Sequence, residues 1–202
     1  RNATFSVPAT GLPTAGTLVL QNDDQASAAL SLTGTYPTLT GDLTFQFAGT
    51  RLNNGARAIG NTTLASGFSL GGADRTITLD YAPTSSSTPA TTSLLTVSGA
   101  TTLDADLTIT GDGSGTIAGA IGETGGARSL TKSGTGNLTL SSATSSFTGG
   151  VDLTGGILVA NTAAALGTGT LAISDAAVRF QVAGGVTIAN PITIGDSPNG
   201  FG

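Results

Sequence analysis

The sequence lacks several residue types on which enzyme chemistry commonly depends. Its 202 residues contain no cysteine, histidine, methionine or tryptophan. Without cysteine there are no disulfide bonds and no thiolate metal ligands, so stability must come from packing and hydrogen-bonded strand ladders. Without histidine and cysteine, the Ser-His-Asp and Cys-His catalytic arrangements are excluded. We therefore expect a chain with no cofactor and no catalytic triad.

Charged residues are also scarce. They make up 9% of the chain, against about 25% in an average globular protein, and the formal net charge is −5. The seven basic residues are scattered from Arg1 to Arg179, so they cannot line a groove that follows a phosphate backbone, and we expect no nucleic-acid partner. No run approaches about 18 apolar residues, so we expect no membrane span in this segment. The chain begins with arginine and shows no secretory signal, so we expect a processed segment whose export signal lies upstream.

Glycine is abundant, with 31 residues, and threonine and serine are frequent. Between glycine-rich corners, short stretches alternate apolar and polar residues, as strands do. The candidate strands are Thr4–Val7, Thr17–Leu20, Ala28–Leu32, Leu43–Phe47, Ala58–Leu64, Phe68–Leu70, Thr76–Tyr81, Leu94–Ser98, Leu107–Thr110, Thr116–Ile121, Ser129–Lys132, Asn137–Ser141, Val151–Leu153, Gly156–Ala160, Thr170–Ser174, Val178–Val182, Val186–Ala189 and Ile192–Ile194. No stretch of about ten residues keeps a helical apolar period, so the pattern predicts an all-β protein.

Many short strands at close spacing occur both in antiparallel sandwiches and in solenoids. The strands here are shorter than sandwich strands usually are, and glycine-rich corners separate them, which favours a parallel β-helix (β-solenoid). An internal comparison supports this choice, because residues 30–45 align with residues 138–153 as L-x-L, an aromatic residue, Thr-Gly and an apolar strand. At about 20 residues and about 4.8 Å per turn, the chain is expected to form about ten turns, a rod on the order of 50 Å long.

Residues 129–161, SLTKSGTGNLTLSSATSSFTGGVDLTGGILVAN, resemble the passenger-associated transport repeat, also called the autotransporter-associated beta strand repeat. Members run close to L-T-K-x-G-x-G-x-L-T-L, then a small polar stretch, an aromatic residue, T-G, a strand and G-x-L. The matching residues are Leu130, Thr131, Lys132, Gly134, Gly136, Leu138, Leu140, Phe147, Gly149, Gly156 and Leu158. Two departures are the S-S-A-T-S-S run at 141–146, where Asn and Tyr are common, and the insertion at 82–93.

The resemblance implies an exported bacterial protein of the outer cell surface, built as a single-stranded right-handed parallel β-helix. Repeats of this family generally build the stalk of a passenger and contribute no catalytic residue. We expect solenoid turns over residues 1–95, with a strand-like arm at 1–9, and further turns over residues 96–202, which contain the motif.

Few groups in the sequence suggest chemistry. Lys132 and Ser133 are adjacent, but neighbours in a strand point to opposite faces, so we interpret Lys132 as structural rather than as the base of a Ser-Lys pair. Asp104, Asp106 and Asp112 are candidate Ca²⁺ ligands or glycosidic acid and base residues, and the first two share a strand face if that segment is extended. Without an aromatic platform nearby, we favour the alternative that they flank a strand in turns.

The two ends of the stack are expected to be uncapped, since neither shows an amphipathic cap. The strand edges that would continue it are Thr4, Phe5, Ser6 and Val7 at one end and Ile192, Thr193 and Ile194 at the other. The preferred hypothesis is a non-catalytic stalk or filament that assembles end to end by strand pairing, with more of the same polypeptide or with a second copy. The alternative is an adhesin whose Ala82–Thr92 loop binds surface glycans. A glycan-cleaving β-helix is the third hypothesis.

Overall fold

The computed structural model of the chain describes residues 3–8, 11–22, 28–49, 62–83, 95–175 and 177–195. These residues form strands without any α-helix. The strands are β1 (Ala3–Pro8), β2 (Gly16–Asn22), β3 (Ala28–Thr33), β4 (Leu43–Gly49), β5 (Thr62–Leu64), β6 (Arg75–Pro83), β7 (Leu95–Val97), β8 (Thr101–Leu103), β9 (Leu107–Gly111), β10 (Gly115–Ile117), β11 (Ile121–Glu123), β12 (Ser129–Lys132), β13 (Asn137–Leu140), β14 (Gly150–Leu153), β15 (Ile157–Ala160), β16 (Leu171–Ile173), β17 (Arg179–Val182) and β18 (Ile192–Ile194).

The strands form two long parallel sheets and one short one. Sheet one contains eight strands in the order β1-β3-β5-β7-β10-β13-β15-β17, and sheet two contains eight in the order β2-β4-β6-β9-β12-β14-β16-β18. A third sheet pairs β8 with β11. Because the chain visits the sheets in turn and each strand pairs with strands of the turns before and after it, the fold is a parallel β-helix, as the sequence predicts.

The turns differ in length along the chain. Among the early strands of sheet one, Leu30 pairs with Thr62. Farther along the same sheet, Gly115 pairs with Leu138, and Leu138 pairs with Leu158. The early turns therefore contain more residues than the later ones. The described strands do not test the expected total of about ten turns or the division at residue 95, which remain predictions.

Alternation within each strand places one set of side chains inside the coil. Because the sheets are parallel and in register, inward residues of successive turns stack into columns and bury one another. One column in sheet one contains Leu32, Leu64, Val97, Ile117, Leu140 and Ala160, all buried. The facing column in sheet two contains Leu43, Ile77, Ile109, Lys132 and Leu153. A lysine therefore occupies a core position.

Two predicted strands are wrong in detail. The candidate Thr116–Ile121 is divided into β10 and β11 by a corner at Gly119. A Cβ atom at Gly119 would lie 1.9 Å from the carbonyl oxygen of Gly99, one turn earlier, so this corner fits only glycine in its present conformation. The alternating segment Val186–Ala189 forms no strand, and the Val186 amide instead closes a turn onto the carbonyl of Ala183.

Two further differences lie around the short third sheet. The candidate Phe68–Leu70 contributes only an isolated bridge, from Ser69 to Thr102. The sequence pattern also missed β8, because a strand this short contains too few alternating positions to show a period.

Candidate functional site

The family-like motif occupies β12 to β15 and the corners between them. Its apolar residues face the core, and the fully buried ones are Leu130, Leu138, Leu140, Phe147, Leu153 and Leu158. The remaining motif positions are Thr131, which is half-buried, Lys132 and several glycines. Lys132 binds corners within the motif, the glycines contact the backbone of the preceding turn, and these contacts make up the site.

Lys132 ends β12 with its side chain pointing into the coil, and only 2% of the residue is exposed. Its Nζ donates hydrogen bonds to the carbonyl oxygens of Ser133 (2.5 Å), Gly134 (3.1 Å) and Gly155 (3.1 Å). Burial lowers the pKa of Lys132 to about 8. Because the amine binds the Ser133 carbonyl rather than its hydroxyl, the geometry provides a link between two successive corners and not a base for a serine nucleophile.

The motif glycines form these corners. Gly134 and Gly156 both have φ of +68°, a left-handed conformation that non-glycine residues rarely adopt. A Cβ atom at Gly134 would also lie 2.4 Å from the carbonyl oxygen of Gly111, one turn earlier, and a Cβ at Gly156 would lie 2.5 Å from that of Gly136. The corner backbones of three consecutive turns therefore stack in direct contact, and Lys132 holds two of them together from the inside.

Asparagine side chains make similar links on the C-terminal side of the motif, and sequence reasoning did not single them out. The Asn190 amide donates to the carbonyl oxygens of Gly167 (3.1 Å) and Gly169 (2.7 Å), one turn earlier. The Asn161 amide donates to the hydroxyl of Ser141 at 3.0 Å. The Asn190 side chain thus satisfies two corner carbonyls, whereas Asn161 joins two turns through a side-chain hydroxyl.

The candidate calcium residues are not arranged around a common point. Asp104 and Asp106 lie in the bend between β8 and β9, not in a strand, so the expectation that they share a strand face is wrong. The Asp104 carboxylate accepts from the amides of Leu70 (2.9 Å) and Gly72 (3.0 Å) in the turn before, whereas Asp106 accepts from Ser129 (2.8 Å) in the turn after. Asp112 follows β9 at the next corner. Among the residues that the structure describes, no three acidic side chains are grouped to hold a metal.

Asp106 belongs to a column of carboxylates along one corner. Asp42 accepts from the Thr76 amide at 2.8 Å, and Asp74 accepts from the Asp106 amide at 3.0 Å. The sequence contains a signal for this column, because a small residue followed by Asp, any residue and Thr recurs at 41–44, 73–76 and 105–108. The internal comparison aligned other segments and missed it. The recurrence marks successive turns in the first half of the coil.

Glu123 makes the next link along the same side. Its carboxylate accepts from the amides of Arg128 (2.8 Å) and Thr148 (3.0 Å) and from the Thr148 hydroxyl (2.7 Å). Burial works to raise the pKa of Glu123, but the bonds from Thr148 and Arg128, with the positive charge of Arg128, hold it below its ordinary value. The ionised carboxylate is therefore the form that this corner binds.

These contacts define the structural class of the chain, which is a parallel β-helix whose polar and glycine residues join successive turns. Residues 130–160 match the model of the passenger-associated-transport-repeat family. The match agrees with the resemblance in the sequence and covers the β12 to β15 segment. No curated protein and no solved structure matches the chain. Within the described ranges, the coil also includes no helix of the length and hydrophobicity that a membrane crossing requires.

Proposed function

We propose that this chain is a non-catalytic stalk segment of a bacterial surface protein, similar to an autotransporter passenger. The observation that carries the proposal is the use of the motif's polar groups: Lys132 and the motif glycines make contacts between turns. The family match supports an exterior location for the protein. Labelling of intact cells with an antibody against residues 130–160 tests that location, and labelling only after lysis would contradict it.

The finer proposal is that the stack extends by strand addition. The outer edge of β18 exposes Ile192 (49%) and Ile194 (62%), although the residues they pair with, Leu171 and Ile173, are buried or half-buried. A further parallel turn, from the continuing polypeptide or from a second copy, would cover these side chains as each earlier turn covers its neighbour.

The sheet order specifies which edges would meet in a stack of copies. Thr4, Phe5, Ser6 and Val7 lie in β1, at the end of sheet one, whereas Ile192, Thr193 and Ile194 lie in β18, at the end of sheet two. A continuous stack would therefore pair β17 with β1 and β18 with β2 of the next copy. Electron micrographs of the native material test this: filaments or long rods support it, and isolated compact particles at high concentration contradict it.

A second candidate function is glycan binding, and the position of three connections, two of them long, favours it. The ends of β2, β4 and β6 stack on one another, with Asn22 paired to Gly49 and Gly49 to Pro83. The connections that follow, 23–27, 50–61 and 84–94, therefore start from one side of the coil. Most of the Ala82–Thr92 loop lies outside the described residues. Glycan-array binding that is lost on deletion of Ala82–Thr92 would support an adhesin, and binding that survives the deletion would contradict this assignment.

A further inference from the structure

The outer face of sheet two contains a two-row array of threonines, which we call the threonine patch. It consists of Thr44, Thr76, Thr78, Thr108, Thr110 and Thr131 on β4, β6, β9 and β12. The register sets its geometry. Thr78 pairs with Thr44 and with Thr110, and Thr108 pairs with Thr76 and with Thr131. Within a row, threonines on adjacent strands are therefore about 4.8 Å apart. The two rows are separated by about 6.6 Å along the strands.

The hydroxyls of the threonine patch have no hydrogen-bond partner within the part of the chain that the structure describes. All six residues are partly exposed. The comparable row on sheet one is different, because its central residue, Thr116, already has an interaction and each strand contributes a single threonine. Sheet two thus presents an ordered set of unused donors and acceptors.

We propose that the threonine patch is a lateral self-association face, which binds the same patch on a second copy of the chain. A hydroxyl is both a donor and an acceptor, so a face made of hydroxyls is complementary to itself, whereas a face of carboxylates or ammonium groups is not. A second copy also has the same strand spacing, so bonds made at one turn repeat at the next. The patch contains no charged side chain that would repel its copy.

The contact should be weak for a single pair of rods. Six threonines in two rows of three bury a few hundred Å² per copy, well below the roughly 1,200 Å² total of a stable interface. Acidic residues border the patch, with Asp42, Asp74 and Asp106 at one end of the strands, Asp80 and Asp112 at the other, and Asp152 paired with Thr131 on β14. These borders repel when two copies meet, so salt should strengthen the association rather than weaken it. Many tethered copies on one surface would multiply the weak contacts.

The test coats beads with the wild-type chain or with a variant, all in the same orientation, and uses microscopy to measure how far the beads cluster. Wild-type beads should cluster, and more so in added salt. Thr78→Asp with Thr108→Asp, and Thr78→Lys with Thr108→Lys, should each reduce clustering about tenfold, because like charges then face each other. Mixing Asp beads with Lys beads should restore clustering to at least the wild-type level. The matched control is Thr63→Asp with Thr139→Asp on sheet one, which adds the same charge and should leave clustering near that of wild type.

Several outcomes would overturn the proposal: wild-type beads that stay dispersed, an equal loss in the sheet-one control, or no recovery when folded Asp and Lys beads are mixed. Binding of wild-type beads to crystalline polysaccharide or to ice, without clustering, would assign the patch to another occupant. Melting curves establish that the variants are folded, and single substitutions at Thr108 replace any double variant that is not. The proposal does not depend on end-to-end stacking, since micrographs distinguish rods that lie side by side from rods that lengthen.

Discussion

In the turns built from residues 28–83, carboxylates and long strands join one turn to the next, whereas in the turns built from residues 129–182 the same task falls to glycine corners, Lys132 and asparagine. The early strands β4 and β6 have seven and nine residues, and the later strands β12 to β15 have four. The turns also shorten, since Leu30 pairs with Thr62 in the early region and Leu138 with Leu158 in the later one. In sheet two the long connections therefore follow the long strands β4 and β6, although β5 in sheet one has only three residues, and the short strands β12 to β15 lie in turns whose corners are in close backbone contact.

The largest expected loss of stability comes from substituting a corner glycine, and two glycines with the same left-handed conformation provide the comparison. Gly34, in the early turns, has φ of +83° and open space around it, whereas Gly134 has φ of +68° and stacks on the Gly111 backbone. Gly134→Ala should lower the free energy of unfolding by about 3 to 5 kcal/mol, since steric overlap adds to backbone strain. Gly34→Ala should cost only about 1 to 2 kcal/mol, from the backbone strain alone. Equal losses in urea unfolding would contradict the proposed role of close contact.

The second effect concerns Lys132. Lys132→Met keeps most of the packing volume but removes the donor to the carbonyls of Gly134 and Gly155, and we expect a loss of about 2 to 3 kcal/mol in urea unfolding. Thr131→Val, at the adjacent outward position, is the matched control and should change stability by less than about 0.5 kcal/mol. A Met variant as stable as wild type would show that the amine is not needed to join the corners.

Lys132 also makes the free energy of unfolding depend on pH, in a direction that its pKa determines. Its pKa is about 8 in the folded protein against 10.5 in the unfolded chain, so below pH 8 both states hold the proton. Between these values the unfolded chain binds more protons, and the free energy of unfolding of the wild type should rise as the pH increases. The Lys132→Met variant should lack this rise. A wild-type stability that falls over the same interval would contradict the burial of the charged amine.

A smaller effect tests the carboxylate column. Asp106→Ala removes the acceptor for the Ser129 amide and should cost about 1 kcal/mol. The matched control is Asp152→Ala on β14, since Asp152 makes no side-chain hydrogen bond within the described ranges. It should be close to neutral. Thermal unfolding of the two variants measures the difference, and similar melting temperatures would argue that the column contributes little.

The smallest effect is a gain in stability. Thr101 is 1% exposed, and its hydroxyl oxygen is buried without a hydrogen-bond partner. Thr101→Val keeps the shape of the side chain and removes the unpaired group, so the free energy of unfolding should increase by about 0.5 to 1 kcal/mol. A loss in calorimetry would indicate that this hydroxyl is satisfied in solution.

Much of this fold can be predicted from local sequence patterns, because apolar and polar residues must alternate along a strand that buries one face. The residues Leu138, Leu140 and Leu158 follow that rule, and their strands lie where the alternation predicts them. The corners were harder, since a corner such as Gly119 is defined by the backbone of the preceding turn, at Gly99. Alternation alone cannot reveal that contact, and it also made Val186–Ala189 look like a strand, because Val186 and Ile188 are half-buried without pairing in a sheet.

The polar contacts were harder to predict, because they depend on the register between strands of successive turns, and the sequence indicates that register only indirectly. Lys132 could be interpreted as structural from its strand neighbours, but its bond to Gly155 follows from the pairing of β12 with β14. Asp104 and Asp106 looked like a pair because they are close in sequence. In the coil, Asp104 binds the preceding turn and Asp106 the following one, so their closeness in sequence wrongly suggested a shared site. The recurrence of Asp at the same position in successive turns would have indicated the actual role of Asp106.

The central claim is that both regions form one stack in which each turn adds one strand spacing, and a spin-label ruler tests it most directly. The chain has no cysteine, so labels can be placed at will. On sheet one, Ser31, Thr63, Thr96, Thr116, Thr139, Val159 and Gln181 follow one another in register. Pulsed electron paramagnetic resonance on the cysteine pairs 63/159, 31/159 and 31/181 should give distances near 19, 24 and 29 Å, at about 4.8 Å per turn. Distances that do not increase with the number of turns would contradict a continuous β-helix.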